Sequence, residues 1–375
     1  MLSGLMTCLR GSDEFELQVI ASAMHLSQAH GLTYKEIERD GFVINEKVQM
    51  IGTDDNESSI AKSIGQGVIG FSEAFERLRP ELVIILGDRF EALAAAQTAM
   101  INRIPIAHIH GGEVTEGAVD ESIRHAITKM ANIHFVATKE FRRRVIQLGE
   151  QPDRVFVCGA PGIDNIKQIK KIKQSTFEKK IDFKLGKINF LVTYHPVTLS
   201  TIDEYQCLEN LFDALDHFTD AKVIMTFPNA DADGKYIIEQ LHKYADKNKQ
   251  RVYLTESLGF RNYLQALFHV DCVIGNSSSG LIEVPSFKIP TVNIGDRQKG
   301  RPRADSIIDC DENKSSIIAS IELALSKSFQ ATLASVKNPY GNGEAAESIM
   351  NSLTTLNFSE LIRKPFYDLD FEVKL

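Results

Sequence analysis

The chain has 375 residues, with 42 Lys+Arg against 50 Asp+Glu and a formal charge of −8. Its 43% hydrophobic and 25% charged content excludes wholesale disorder, and its length suits two domains with a core each. A net acidic chain without a long Lys/Arg run is a poor match for a nucleic-acid backbone, so any anion must be held in local positive pockets.

Residues 1–10 read as the middle of a helix, and 15–22 give the first strand signal. Helical periodicity over 58–78 then leads to an apolar run at 82–87. The alternation continues with helix 89–102, strand 104–110, helix 120–131, strand 134–137, helix 139–148 and strand 155–158. Short apolar runs between amphipathic stretches are the pattern of buried parallel strands with crossover helices. A charged stretch at 167–187 reads as a lysine-rich linker. Beyond it, strands at 190–194, 221–227, 251–255, 272–275 and 291–294 alternate with helices at 205–217, 234–247, 260–268 and 280–285. The chain is therefore α/β, with two Rossmann-like doubly wound domains. The expected division is 1–166, joined by the C-terminal segment 357–375, and 167–356.

A doubly wound domain ordinarily opens on a strand and a tight ligand-facing loop. Here the first strand signal follows a helix, so either the fold begins unusually or a strand and its loop, roughly fifteen to twenty residues, are expected upstream. The five cysteines (Cys8, Cys158, Cys207, Cys272, Cys310) are scattered and form no Cys-x-x-Cys pair. They predict reduced thiols in a cytoplasmic protein, with neither a disulfide framework nor a zinc site. The apolar runs are strand-sized, far short of a membrane span.

Ligands in doubly wound sheets bind beyond the carboxyl ends of the strands. Gly87-Asp88-Arg89 follows the strand 82–87. Gly111-Gly112-Glu113 follows the strand 104–110, with Asp120-Glu121-Ser122-Ile123-Arg124-His125 next. Asp88 and Glu113 can thus face one cleft, and Asp120 and Arg124, four apart, share a helix face. Clustered carboxylates raise one another's pKa, which suits acid/base work near neutral pH. Taken singly, Asp88 and Asp120 suit helix N-caps better than catalysis, but three carboxylates converging beside two arginines favour function. His108 and His110 alternate along a strand, but no His-x-x-x-His pair accompanies them, so no metal is expected and His108 reads as a satisfied core histidine. In the second block, His195 ends a strand in Tyr194-His195-Pro196, and Asn229 follows the next strand. Gly275-Asn276-Ser277-Ser278-Ser279-Gly280 joins a strand to a helix carrying Glu283, a place where backbone N–H groups and hydroxyls can meet phosphate. Gly295-Asp296-Arg297-Gln298-Lys299-Gly300-Arg301 adds cations at another strand end.

Taken together and in order, these motifs resemble those of the hydrolysing UDP-N-acetylglucosamine 2-epimerases of bacterial sialic-acid-type pathways, over about residues 15–343. The resemblance implies a glycosyltransferase-B-like fold holding a nucleotide sugar between its domains. It also implies release of UDP and N-acetylmannosamine, with neither metal nor nicotinamide, by a homodimer or homotetramer away from membranes. By motif, Asp88, Glu113 and Asp120 match the catalytic carboxylates, with Arg124 beside them, and His195 matches the cleft histidine. Arg89, Asn229, Ser277, Ser278, Glu283 and Arg297 match the UDP-contacting positions. The Gly-Thr-Arg-type loop with which family members open is not present. Alternatives are the same reaction on a UDP-2,4-diacetamido-2,4,6-trideoxyhexose, a retaining glycosyltransferase, and a UDP-sugar-binding protein without catalysis.

Overall fold

The computed structural model describes residues 2–28, 31–50, 57–115, 119–196, 204–228 and 234–370. Two compact units divide the chain: one comprises Met1–Glu113, Val119–Pro161 and Glu344–Leu375, the other Val114–Ala118 and Gly162–Gly343. Both are built from parallel strands, as the short apolar runs require.

In the first unit, β1 (Ile20–Ser22) pairs with β2 (Glu46–Val48) as a separate two-stranded sheet. A four-stranded sheet runs β3 (Val83–Leu86), β4 (Ile106–Ile109), β5 (Ile133–Val136), β6 (Val155–Val157). The helices are α1 (Ser3–Arg10), α2 (Tyr34–Arg39), α3 (Glu57–Leu78), α4 (Phe90–Ile101), α5 (Val119–Met130) and α6 (Lys139–Gln147). β4 and β5 are buried along their whole length, which explains their unbroken apolar reading. The strand expected over 15–22 is confined to its last three residues. β2 was not expected, because Glu46 and Lys47 hide a strand whose single fully buried side chain is Val48.

The helix Ala345–Thr354, expected in the second domain, belongs instead to the first unit. Its Ile349 and Leu353 pack with Leu5 and Leu9 of α1 and with Ile109, Ile133 and Phe135 of the sheet. The chain therefore returns at Glu344 rather than at 357. A buried ionic cluster fastens the last segment. Glu150, 2% exposed, accepts from His134 Nε2 at 2.9 Å, Lys129 Nζ at 2.6 Å and Lys364 Nζ at 2.7 Å. Lys364 also donates to the Lys129 and Ala131 carbonyls at 2.7 and 2.6 Å, satisfying the open end of α5.

The second unit has one six-stranded parallel sheet. β7 (Ile188–Thr193) has β8 (Ala221–Thr226) and β9 (Val252–Thr255) on one side, and β10 (Cys272–Gly275), β11 (Thr291–Ile294) and β12 (Ile307–Cys310) on the other. The strand order thus reverses between β7 and β10. The expected linker 167–187 is not one: it contains the helix Gln174–Ile181, whose Phe177 and Ile181, one turn apart, pack with Leu264, Leu267 and Val270. Lysine-rich outer positions masked this inner face. Among the described residues no helix is long and apolar enough to cross a membrane.

Candidate active site

Two neighbouring strand ends of the first unit carry the carboxylates. Leu86 pairs with Ile109, so the ends of β3 and β4 lie side by side. Gly87, at φ +80°, turns the chain into Asp88 and then into α4, with Arg89 at the N-cap position. At the end of β4, His110 (φ +68°) and Gly112 (φ +75°) fold the chain back on itself. Glu113 Oε1 thereby comes within 2.5 Å of His110 Nδ1. Only glycine fits at 112, since a Cβ would lie 2.5 Å from the Phe141 carbonyl oxygen.

Arg124 joins the two ends. It projects from α5, is 2% exposed, and pairs through Nη2 with the Asp88 carboxylate. Its Nη1 donates to the Glu113 carbonyl at 3.0 Å and to Glu121 Oε2 at 2.7 Å. A buried guanidinium is tolerable only with such partners. Glu121 in turn lies 3.2 Å from His125 Nε2. Beneath both ends sits His108, fully buried, its Nε2 2.8 Å from the Gly87 carbonyl and its Nδ1 3.2 Å from Thr128 Oγ1. Burial pushes its pKa down to about 3, so the ring is neutral. Nε2–H donates to Gly87, and the Thr128 hydroxyl serves Nδ1.

Asp88, Arg124 and the Glu113 backbone are thus brought together, whereas the sequence reading sets Arg124 on a helix face with Asp120. Asp120 stands half-buried in the first turn of α5, while the neighbouring Glu121 supplies a carboxylate to Arg124. Glu121 and His110 were given no role in the sequence reading. The signal that could have found them is spacing: 121 to 124 and 110 to 113 are both three apart. The Arg89 side chain is 44% exposed and pairs with Glu91 at 3.2 Å. Among the described residues, no three His, Cys, Asp or Glu side chains gather as they would around a metal ion.

In the second unit, the reversal point between β7 and β10 carries the other candidates, where ligands of doubly wound sheets bind. His195 follows β7 and is 5% exposed. Burial, helped by the nearby Arg297 cation, holds its pKa at about 3, so it is a neutral imidazole at physiological pH. Asn276, after β10, accepts from the His195 N–H at 2.7 Å and returns its amide to the His195 carbonyl at 2.9 Å. Arg297 Nη1 and Gln298 Nε2 both donate to the Asn276 carbonyl, at 3.2 and 2.8 Å. Three strand ends are therefore locked through one asparagine, a residue that the sequence reading passed over inside its serine-rich motif. Ser277 and Ser278 are half-buried, as is Glu283, which follows the short helix Ser279–Ile282. The Ser279 hydroxyl lies 2.5 Å from that of Tyr263. Asn229 falls outside the described residues. Arg301 donates to the Val114 carbonyl at 3.0 Å and Thr115 Oγ1 at 3.2 Å, which ties that short segment to this unit.

Gly275 has φ +134°, and a Cβ there would sit 2.0 Å from the Thr193 carbonyl oxygen. Gly275→Ala is expected to destabilise the fold by more than about 3 kcal/mol, because neither backbone can yield within the sheet. Denaturant unfolding checks this, and an unchanged midpoint counts against it.

A family model described as UDP-N-acetylglucosamine 2-epimerase matches residues 8–354. The chain is 40% identical, over 98% of its length and 96% of the other, to the GDP/UDP-N,N'-diacetylbacillosamine 2-epimerase (hydrolyzing) of Campylobacter jejuni. It is 36% identical, over 95% and 93%, to the UDP-N,N'-diacetylbacillosamine 2-epimerase (hydrolyzing) of Legionella pneumophila. Among solved structures, UDP-GlcNAc 2-epimerase from Neisseria meningitidis, bound to UDP-GlcNAc, superposes with a TM-score of 0.81 at 16% identity, covering 95% of this chain and 96% of that one. That likeness establishes a two-domain, glycosyltransferase-B-like fold.

Proposed function

Since the chain belongs to the UDP-N-acetylglucosamine 2-epimerase family, we propose that it is a hydrolysing epimerase acting on a UDP-2,4-diacetamido-2,4,6-trideoxyhexose, releasing UDP and the free 2-epimeric sugar. The observation that carries the chemistry is that Asp88 and Glu113 stand at adjacent strand ends and are both tied to one buried arginine, Asp88 by its carboxylate and Glu113 by its backbone carbonyl. The substrate choice is supported by the two relatives at 40% and 36% identity, both named for diacetylbacillosamine. UDP-N-acetylglucosamine, giving N-acetylmannosamine, is the second reading, supported by the family's own description.

The C2–H bond has no neighbouring carbonyl to acidify it, so departure of UDP must lead. As the C1–O bond breaks, positive charge builds at C1 and a carboxylate removes the C2 proton, leaving a 2-acetamidoglucal. Water then adds at C1 while an acid protonates C2 from the opposite face, inverting that centre. Two faces require two proton-transfer groups, and Asp88 and Glu113 fill those roles, with Asp120 and Arg124 orienting them. Arg89, Asn229, Ser277, Ser278, Glu283 and Arg297 hold the nucleotide. His195, being neutral, offers the diphosphate a hydrogen bond rather than a charge. A cytoplasmic homodimer or homotetramer working without metal or nicotinamide accords with this reading.

The test is incubation with each UDP-sugar in deuterated water. UDP release and a free sugar carrying deuterium at C2 are expected, unaffected by a chelator, with faster turnover of the diacetamido substrate. A product that keeps its C2 proton sinks the mechanism. Faster turnover of UDP-N-acetylglucosamine reverses the substrate assignment.

A further inference from the structure

We propose that Asn338 is a positioning residue of the nucleotide site, gripping the chain on both sides of Glu283 so that its carboxylate meets the nucleotide. The inference deepens the reading given above, which assigns Glu283 to the nucleotide, and rests on it. A carboxylate repels a diphosphate, so Glu283 serves a nucleotide through hydroxyl or N–H donors. Such hydrogen bonds weaken outside about 2.7–3.2 Å, so the place of the carboxylate decides what it contributes.

Three observations carry it. First, one amide reaches both sides of Glu283: Asn338 Nδ2 donates to the Ile282 carbonyl at 2.7 Å and to Ser286 Oγ at 2.8 Å, across 56 and 52 positions. The Ile282 contact alone would be a cap on the open end of the helix Ser279–Ile282. The Ser286 contact lies beyond Glu283, and the Ser286 N–H closes onto the Glu283 carbonyl at 3.1 Å. Residue 283 is therefore held from both sides. Second, the Asn338 amide is itself oriented. Its Oδ1 accepts from the Tyr340 N–H at 2.9 Å. The turn is closed by the Gly341 N–H on the Asn338 carbonyl at 3.2 Å and anchored by the fully buried Tyr340. Third, the carboxylate has little room, since a Cβ at Gly162 would lie 3.2 Å from Glu283 Oε1. The start of the short helix is held separately, by the Thr291 hydroxyl donating to the Gly280 carbonyl at 2.8 Å. The grip of Asn338 thus falls on the Glu283 end.

Asn338→Asp separates this grip from the turn. Aspartate keeps the acceptor for the Tyr340 N–H but offers no donor to Ile282 or Ser286. In the full chain, calorimetric titration with UDP should show about tenfold weaker affinity. Steady-state kinetics should show a matching rise in KM, with kcat within about twofold of the parent. In a Glu283→Ala background the same change should cost less than about twofold, since the residue it positions is gone. Gly162→Ala tests the placement without weakening the fold. Alanine is the better residue in the helix Pro161–Gln168, so the unfolding midpoint should hold or rise. Crowding of Oε1 should nonetheless weaken UDP binding about threefold or more. Parental affinity in Asn338→Asp or Gly162→Ala, a loss confined to kcat, or a tenfold loss that persists without Glu283 overturns the proposal. If Glu283→Ala binds UDP like the parent, the assignment of Glu283 fails and the proposal with it. If that variant is weakened while Asn338→Asp is not, the assignment stands and the proposal alone falls. UDP itself is the binding probe, so the affinities decide whichever UDP-sugar is turned over.

Discussion

Asp88→Asn and Glu113→Gln are each expected to lower turnover about a hundredfold or more while UDP continues to bind. An amide keeps the size and planarity of the carboxylate but can neither accept nor deliver the proton at C2. The two variants should differ in one respect. Asp88→Asn removes the carboxylate on Arg124 Nη2, so the arginine keeps Glu121 and the Glu113 carbonyl as partners. Some loss of thermal stability should follow. Glu113→Gln leaves the hydrogen bond from Arg124 to the residue-113 carbonyl in place, because it is made through the backbone. Steady-state kinetics with UDP titration separates turnover from binding. Near-normal turnover in either variant reassigns that residue to capping or packing.

Glu150→Gln is expected to destabilise the protein by about 3–5 kcal/mol, the usual cost of stranding a buried cation. The amide preserves shape but leaves Lys364, whose side chain is 18% exposed, without its counter-charge. Burial works to raise the Glu150 pKa, but hydrogen bonds from His134, Lys129 and Lys364 more than offset it and hold the group at about 2. A carboxyl with a folded pKa below its unfolded value of 4.5 stabilises the fold above that value. The contribution is lost as pH falls toward 2. Unfolding midpoints of parent and variant should therefore differ most above about pH 4.5 and converge only as pH approaches about 2. A constant difference across that range argues against the ionic account.

Most of the α/β alternation was legible because buried parallel strands are apolar on both faces. Where an element lay at an edge or wore charge outside, the signal failed. β2 shows one buried residue in three, and β12 is partly exposed along its whole length. The lysines of 167–187 concealed Phe177 and Ile181. The carboxylates Asp88 and Glu113 were readable from their place after strands. Their partners were not, since Arg124 reaches Asp88 across 36 positions and Asn276 reaches His195 across 81. Such pairings depend on strand order, which a linear pattern does not contain.

The threading of the first unit has a consequence for synthesis. Its core is drawn from both ends of the chain, with Leu5, Leu9 and the β4–β5 surface waiting for Ile349, Leu353 and Leu361. The second unit, apart from Val114–Ala118, is one unbroken stretch from Gly162 to Gly343. At ordinary elongation rates, roughly ten to forty seconds separate the emergence of Pro161 from that of Glu344. During that interval the first unit presents an unfinished apolar face while the second has the means to complete its own. The half of the molecule made first is therefore finished last, once the helix Ala345–Thr354 and Leu361 arrive.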